Sequence, residues 1–323
     1  MNTTQAQLSA VLAAGGPRLT RMLDSTESRL GEVAEGHGLE LARHAGGTLF
    51  AGGKRLRPML VFLCAGGGDD RLVAAAASVE LLHMATLVHD DVLDRAALRR
   101  GRPTVFADGG RTAATATGDL LFSRAFAELA STGDPEAVRA LSVASSALAH
   151  GELMQRADAW RIDVTPERYL ERCRLKTASL FAASCRLGAL FGGRPAMAEA
   201  LGRFGECVGL AFQMLDDVLD VSGPPERTGK PRGTDLLDGT VTLPLILARA
   251  SDPSLRELSA ALTAEQAESV CDRIAATGAL EAARDQALTH VAEAKQSLAQ
   301  LDLPAQRREA LELVADGVVE RYA

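Results

Sequence analysis

Two acidic clusters stand out by residue type and spacing: Asp90-Asp91-Val92-Leu93-Asp94 and Asp216-Asp217-Val218-Leu219-Asp220. Each follows an apolar run with helical spacing, residues 81–88 before the first and 210–215 before the second. On a helix, positions i and i+4 share a face. Asp90 and Asp94 therefore point one way with Asp91 one step round, and Asp216, Asp217 and Asp220 repeat the arrangement. Carboxylates flanked by apolar turns are costly to bury unless a cation lies among them. Hard oxygen ligands of this kind suit Mg²⁺, which keeps several waters and bridges to substrate phosphates. One such cluster alone reads equally well as a solvated acidic turn. Two copies, both behind apolar helical runs, read better as a paired metal site.

Cationic segments lie around these clusters. Gly52-Gly53-Lys54-Arg55-Leu56-Arg57-Pro58 joins glycines, which let a backbone approach an anion, to three cations. It has the makings of a diphosphate grip but not the spacing of a P-loop, and a basic surface turn is the plain alternative. His83 lies seven residues before Asp90. Two helical turns put it on the same face, facing the carboxylates. Arg99 and Arg100 are adjacent, so their side chains diverge and could meet two different anions; a solvated basic loop is the other reading. Lys176-Thr177 sets a cation beside a hydroxyl in apolar surroundings, and Gln213 lies on the side of Asp216 and Asp217. Lys230 and Arg232 sit in the polar loop that follows, and Arg321 stands near the end of the chain.

The elements that must hold these residues read as helices. Ala and Leu dominate the 323 residues, hydrophobic residues make up 47% and aromatic residues 4%. That composition favours helix over sheet. The spacing predicts helices over 4–45 with a break at Gly15-Gly16-Pro17, and over 59–66, 71–95, 111–131, 135–159 and 196–222. Another opens at Thr165 as N-cap with Pro166 in the first position. Residues 253–320 read as amphipathic helix without a functional signal. Phe122 and Phe126 form an i, i+4 pair whose default reading is core packing.

Bulk properties exclude several classes. A net charge of −7 argues against a nucleic-acid binder. Five scattered cysteines lack zinc-like spacing and read as small buried hydrophobes in a reducing compartment. No basic segment leads into an apolar run at the N-terminus, so no signal peptide is expected. No stretch approaches the roughly 18 uncharged apolar residues of a spanning helix, so no transmembrane segment is expected.

Taken together, the motifs carry a family. Gly-Gly-Lys-Arg-x-Arg-Pro at 52–58, His-x-x-x-x-x-x-Asp-Asp-x-x-Asp at 83–94 and Arg-Arg-Gly-x-Pro-Thr at 99–104 come first. Lys-Thr at 176–177, Gln-x-x-Asp-Asp-x-x-Asp at 213–220 and Gly-Lys-Pro-x-Gly-Thr-Asp at 229–235 follow. This ordered set resembles the trans-isoprenyl diphosphate synthases, or polyprenyl synthetases, over about residues 50–245. The resemblance implies an all-α fold, an isoprenoid synthase-type helical bundle with a central active-site cavity. It implies one domain over 1–323, a homodimer, and a cytoplasmic transferase. Asp90, Asp91, Asp94, Asp216, Asp217 and Asp220 would hold Mg²⁺ on the diphosphate of an allylic substrate. Lys54, Arg57, His83 and Arg100 match the isopentenyl diphosphate site, and Arg99, Lys176, Thr177, Gln213 and Lys230 match positions around the allylic diphosphate and forming cation. The chain departs from many members just after the first cluster, where Arg95-Ala96-Ala97 replaces acidic or polar residues.

The implied reaction is a trans 1′-4 condensation of an allylic diphosphate with isopentenyl diphosphate, releasing diphosphate. A class I terpene cyclase also ionises an allylic diphosphate at such a cluster, but has no use for a second diphosphate grip. A silent partner subunit would typically have lost one cluster. Ala85 and Thr86, before the first cluster, are small where a bulky aromatic in this family stops growth early, and the cluster lacks a two-residue insertion seen in many short-chain synthases. A medium- or long-chain polyprenyl product is therefore expected, with a farnesyl or geranylgeranyl diphosphate synthase as the alternative. Phe122 and Phe126 are candidates for the pocket floor.

Overall fold

The computed structural model describes residues 3–49, 54–67, 70–99, 101–223, 232–258 and 262–320. Helix follows helix: α1 (Thr3–Glu35), α2 (Leu39–Leu49), α3 (Leu56–Cys64), α4 (Asp70–Leu93), α5 (Val105–Ala130), α6 (Pro135–Ala157) and α7 (Pro166–Cys173). A single π-helical turn, Arg174–Ala178, runs into α8 (Ser179–Phe191), and α9 (Ala198–Ser222) follows. The remainder is α10 (Thr234–Leu237), α11 (Leu243–Ser251), α12 (Ala264–Ala275), α13 (Ala279–Ala299) and α14 (Ala305–Glu320). The sheet structure among the described residues is one hairpin, β1 (Leu98–Arg99) against β2 (Arg102–Pro103), antiparallel.

The boundaries follow local chemistry. Gly16 at φ 73° breaks α1 where Gly-Gly-Pro predicted a break. Thr165 caps α7 by accepting from the Arg168 amide, with Pro166 in the first position. The helix expected from 111 begins earlier, at Val105, because Thr104 is a good N-cap and accepts from the Ala107 amide; Gly110 at φ 74° then interrupts it.

Two apolar cores form. One joins α3, α8, α9 and the C-terminal helices and includes Phe181, Phe204 and Met214. The other surrounds α4 with α5 and α6. Close approach of α9 to α8 and to the π turn before it depends on glycine. A Cβ at Gly205 would lie 2.6 Å from the Phe181 carbonyl oxygen, and one at Gly209 would lie 2.6 Å from Ala178 Cα.

Among the described residues, α4 is the one helix long and apolar enough to cross a membrane by length and composition, although Glu80 interrupts it. Two-thirds (67%) of its apolar window is buried inside the protein, where it packs on α1, α3, α5 and α8. It is a core helix, and the two acidic clusters sit at the C-terminal ends of α4 and α9.

Candidate active site

The first cluster closes α4. Asp91 is buried, Asp90 half-buried and Asp94 exposed just beyond the last helical residue, where its amide still bonds the Asp90 carbonyl at 2.8 Å. Arg95 then takes a left-handed conformation, φ 51°, and lets the Ala96 amide return to the Asp91 carbonyl at 3.0 Å. That is the local answer to the unusual Arg-Ala-Ala sequence. Positive φ is strained for a non-glycine residue, and such strain gathers at functional sites.

The hairpin folds back beside this turn. Arg99 sets both Nε and Nη2 at 2.8 Å from Asp91 Oδ1. Arg100 itself lies outside the described residues.

The cluster has more cationic neighbours than its sequence surroundings suggest. Arg156 on α6 pairs with Asp94 and, at 2.7 Å, with Glu152. Lys176 pairs with Glu152 on its other side. Burial pushes Asp90 up to about 6, against the pull of Lys176 and with a push from Glu152 and Asp94. Burial also raises Asp91, opposed by Arg99. Glu152 goes the other way: burial would raise it, but Lys176 and Arg156 outweigh that and hold it low.

The second cluster is tied into a chain of hydrogen bonds. The Thr177 hydroxyl donates to Gln213 Oε1 at 2.7 Å, and Gln213 Nε2 donates to Asp217 Oδ1 at 2.8 Å. The Tyr169 hydroxyl, buried on α7, donates to the other oxygen of Asp217 at 2.6 Å. Even so, burial and the nearby Asp235 push Asp217 up to about 8. The Asp235 amide donates to Asp220 Oδ2 at 3.1 Å, so α10 is held against the end of α9. Asp216 and Asp220 are half-buried.

Lys176 and Thr177 are neighbours on the π turn, and that turn connects the two clusters. Lys176 reaches toward Asp90 and Glu152; Thr177 reaches through Gln213 to Asp217. A π turn adds a residue to a helical circuit, and such turns often mark functional positions. Its seat requires glycine: a Cβ at Gly151 on α6 would lie 2.5 Å from the Lys176 amide nitrogen.

The Gly-Gly-Lys-Arg segment divides its labour. Lys54 is exposed. The Arg57 guanidinium sits 4.5 Å from the centre of the Phe181 ring, held by cation–π attraction to α8. Arg55 turns inward with φ 47° and bonds Glu27 on α1, Glu80 on α4 at 2.6 Å, and the Leu49 carbonyl at 2.6 Å. It anchors the segment that presents its neighbours. His83 is half-buried on α4, two turns before Asp90. Gly52, Gly53, Lys230 and Arg321 lie outside the described residues.

The proposed tunnel residues are dispersed in environment. Ala85 is fully buried and Thr86 half-buried, its hydroxyl donating to the His83 carbonyl at 2.7 Å. Phe122 and Phe126 do stack, ring centres 5.2 Å apart. Phe126 packs on the α4 core, but Phe122 is 39% exposed, so core packing fails as its reading.

Sequence reasoning missed Tyr169, Glu152 and Arg156, gave Asp235 only as the end of a motif, and read Arg55 as one cation of a diphosphate grip, whereas its guanidinium is spent on Glu27, Glu80 and the Leu49 carbonyl. Glu152 and Arg156 carried a signal, an acid and a base four apart on one helical face. Tyr169 carried a weaker one, as one of two tyrosines in the chain.

The donor set fits a hard divalent cation. One carboxylate in each cluster, Asp90 and Asp217, is pushed well up by burial and by other carboxylates, a state that an added positive charge would reverse.

The family model described as polyprenyl synthetase matches residues 40–277. This chain belongs to the polyprenyl synthetase family. Component 2 of heptaprenyl diphosphate synthase from Geobacillus stearothermophilus is 44% identical over 262 residues, covering 80% of this chain and 78% of that protein. A short chain isoprenyl diphosphate synthase from Methanothermobacter thermautotrophicus is 39% identical over 294 residues, covering 87% and 90%. The crystal structure of a polyprenyl synthase from Caulobacter crescentus, complexed with calcium and isoprenyl diphosphate, matches with a TM-score of 0.87 at 35% identity over 98% of each chain. The chain is a prenyl transferase that elongates isoprenoid diphosphates, and the all-α bundle implied by its motifs is the fold it has.

Proposed function

We propose that the six aspartates hold Mg²⁺ on the diphosphate of an allylic substrate, while Lys54, Arg57, His83 and Arg100 hold isopentenyl diphosphate. The observation that carries this reading is the π turn, whose consecutive residues address both clusters. Bound Mg²⁺ would supply positive charge to the departing diphosphate. Lys176 and Arg99 add fixed positive charge on the same side, where leaving charge develops. Thr177 keeps its oxygen lone pairs for the allylic cation, since its proton is given to Gln213. One lone pair of the Gln213 carbonyl is taken by that bond and the second remains for the cation. The isopentenyl double bond then attacks, and the departing diphosphate accepts the final proton.

The product is assigned to the medium- or long-chain class. Small Ala85 and Thr86 support this, although relatives of similar identity carry both heptaprenyl and short-chain names. The deciding experiment incubates the purified chain with labelled isopentenyl diphosphate, Mg²⁺ and each allylic starter, and sizes the products. Products ending at fifteen or twenty carbons would overturn the length assignment. No incorporation by the chain alone would favour a second reading, that it needs a partner subunit, which the name "component 2" of one relative suggests. A homodimer is our first choice. Phe122 on α5 and Val143 and Leu153 on α6 expose apolar side chains, which a second copy could cover. Sedimentation of the purified chain tests it. The cysteines are free, as suits the reducing cytoplasm, which cell fractionation would check.

A further inference from the structure

On the seam where α13 packs along α9, three side chains of different chemistry gather away from the aspartate clusters. His290 and Glu293 stand three apart on α13, which puts them on one face. His290 Nδ1 lies 3.0 Å from Glu293 Oε2. Cys207 reaches in from α9, and one ligand atom from each of the three lies within 4.8 Å of the other two. Cys207 is nine residues before Asp216 on the same helix, so the group sits about 14 Å from the second cluster at the usual rise. None of the three belongs to the diphosphate sites described above.

The reading of the cysteines as buried hydrophobes fits Cys64, Cys173, Cys185 and Cys271, but Cys207 is only half-buried. The His290 side chain is 20% exposed and that of Glu293 52%, so an ion can enter from solvent. Among the described residues, Glu293 pairs with His290 and with no Lys or Arg. Glu206, beside Cys207, is already spent on Arg174 at 2.8 Å.

Thiolate, imidazole and carboxylate together suit Zn²⁺, whereas Mg²⁺ takes hard oxygens. Zn–S of about 2.3 Å and Zn–N or Zn–O of about 2.0–2.2 Å set tetrahedral ligand atoms roughly 3.3–3.6 Å apart. The His290–Glu293 spacing of 3.0 Å and the 4.8 Å limit on the others bracket that range, so side-chain rotation closes the site. We propose that Cys207, His290 and Glu293 form a Zn²⁺ site that staples α9 to α13, with the fourth position left to water. Burial, and then the carboxylates of Glu293 and Glu206, push the Cys207 thiol up to about 11 in the metal-free chain. Binding must displace that proton, which a thiophilic ion does and Mg²⁺ does not.

The test uses the full-length, untagged protein, stripped of metal and returned to excess Mg²⁺. Titration with Co²⁺ should raise a near-ultraviolet thiolate-to-cobalt charge-transfer band that saturates at one ion per chain and is displaced by Zn²⁺. The aspartate clusters offer only oxygen and cannot give that band. Cys207→Ser should abolish it. His290→Gln and the exposed Glu293→Gln should each weaken Zn²⁺, measured by chelator competition, by about tenfold or more, no less than loss of an outer-shell partner does. Because a metal that binds the folded chain stabilises it, Zn²⁺ should also raise the Tm of the wild type more than that of Cys207→Ser. Circular dichroism confirms that each variant keeps its helices. The proposal is overturned by the absence of a thiolate band, by a band that survives Cys207→Ser, or by an equal Zn²⁺-induced rise in Tm in both proteins. A band unmoved by both His290→Gln and Glu293→Gln overturns it too, since that is a lone thiolate and not a three-ligand site.

Discussion

At the scale of single residues, the site is built from carboxylates held in an unfavourable state. Asp90 and Asp217 titrate in the folded, metal-free chain at about 6 and about 8, both above the ordinary aspartate value. A folded-state pKa raised above the unfolded one stabilises the fold while the group is protonated, and that stability is lost as pH rises through the folded value. Thermal melts in chelator should therefore show Tm falling between about pH 4 and pH 8, and Asp217→Asn should flatten the fall above pH 6. Mg²⁺ with a diphosphate substrate analogue should restore the lost Tm. In turnover, Asp90→Ala and Asp216→Ala should each lose on the order of 10²-fold or more in kcat, comparable with losing one dedicated transition-state contact, with unchanged helical circular dichroism. Arg99→Ala should raise KM for the allylic substrate and Arg100→Ala that for isopentenyl diphosphate; equal effects on both substrates would refute the division.

At the scale of elements, the clusters are legible because a carboxylate repeat on an apolar helix is a local pattern. The same locality explains Thr165-Pro166, Gly16 and the ends of α4 and α9, which all follow from neighbours in sequence. What escaped depends on pairs distant in the chain. Tyr169 meets Asp217 across 48 positions and Arg55 meets Glu80 across 25. The π turn escaped for another reason: an extra residue in a helix leaves the apolar spacing on each side intact. Its seat gives a prediction. Gly151→Ala should drive a methyl into the Lys176 backbone and cost about 1–3 kcal/mol, as overpacking does. Because the displaced atoms belong to Lys176, kcat should fall further than the stability loss explains, measured by urea denaturation beside steady-state kinetics. Arg55 works on a different element. Its side chain is 9% exposed between Glu27 and Glu80. Removing it leaves a buried carboxylate uncompensated, so Arg55→Ala should cost about 3–5 kcal/mol, read from the urea midpoint.

At the scale of the whole molecule, the site assignment proposed above gives one run of chain a part in both halves of the reaction. Residues 166–191 pass from α7 through the π turn into α8 without a break. The middle of that rod holds Lys176 and Thr177; further along, Phe181 supports Arg57, and Gly188 is so close to α3 that a Cβ would lie 2.3 Å from the Val61 carbonyl oxygen. A ligand that pulls on Lys176 should therefore lean on the support of Arg57, and the two substrates are expected to sense one another through this shared beam. Order of arrival then matters. Loading the enzyme with an unreactive allylic diphosphate should change the Kd of isopentenyl diphosphate, and the reverse experiment must show the same factor, since coupling between two bound ligands is reciprocal. Phe181→Leu, which keeps the core filled but removes the ring beneath the guanidinium, should bring that factor close to one.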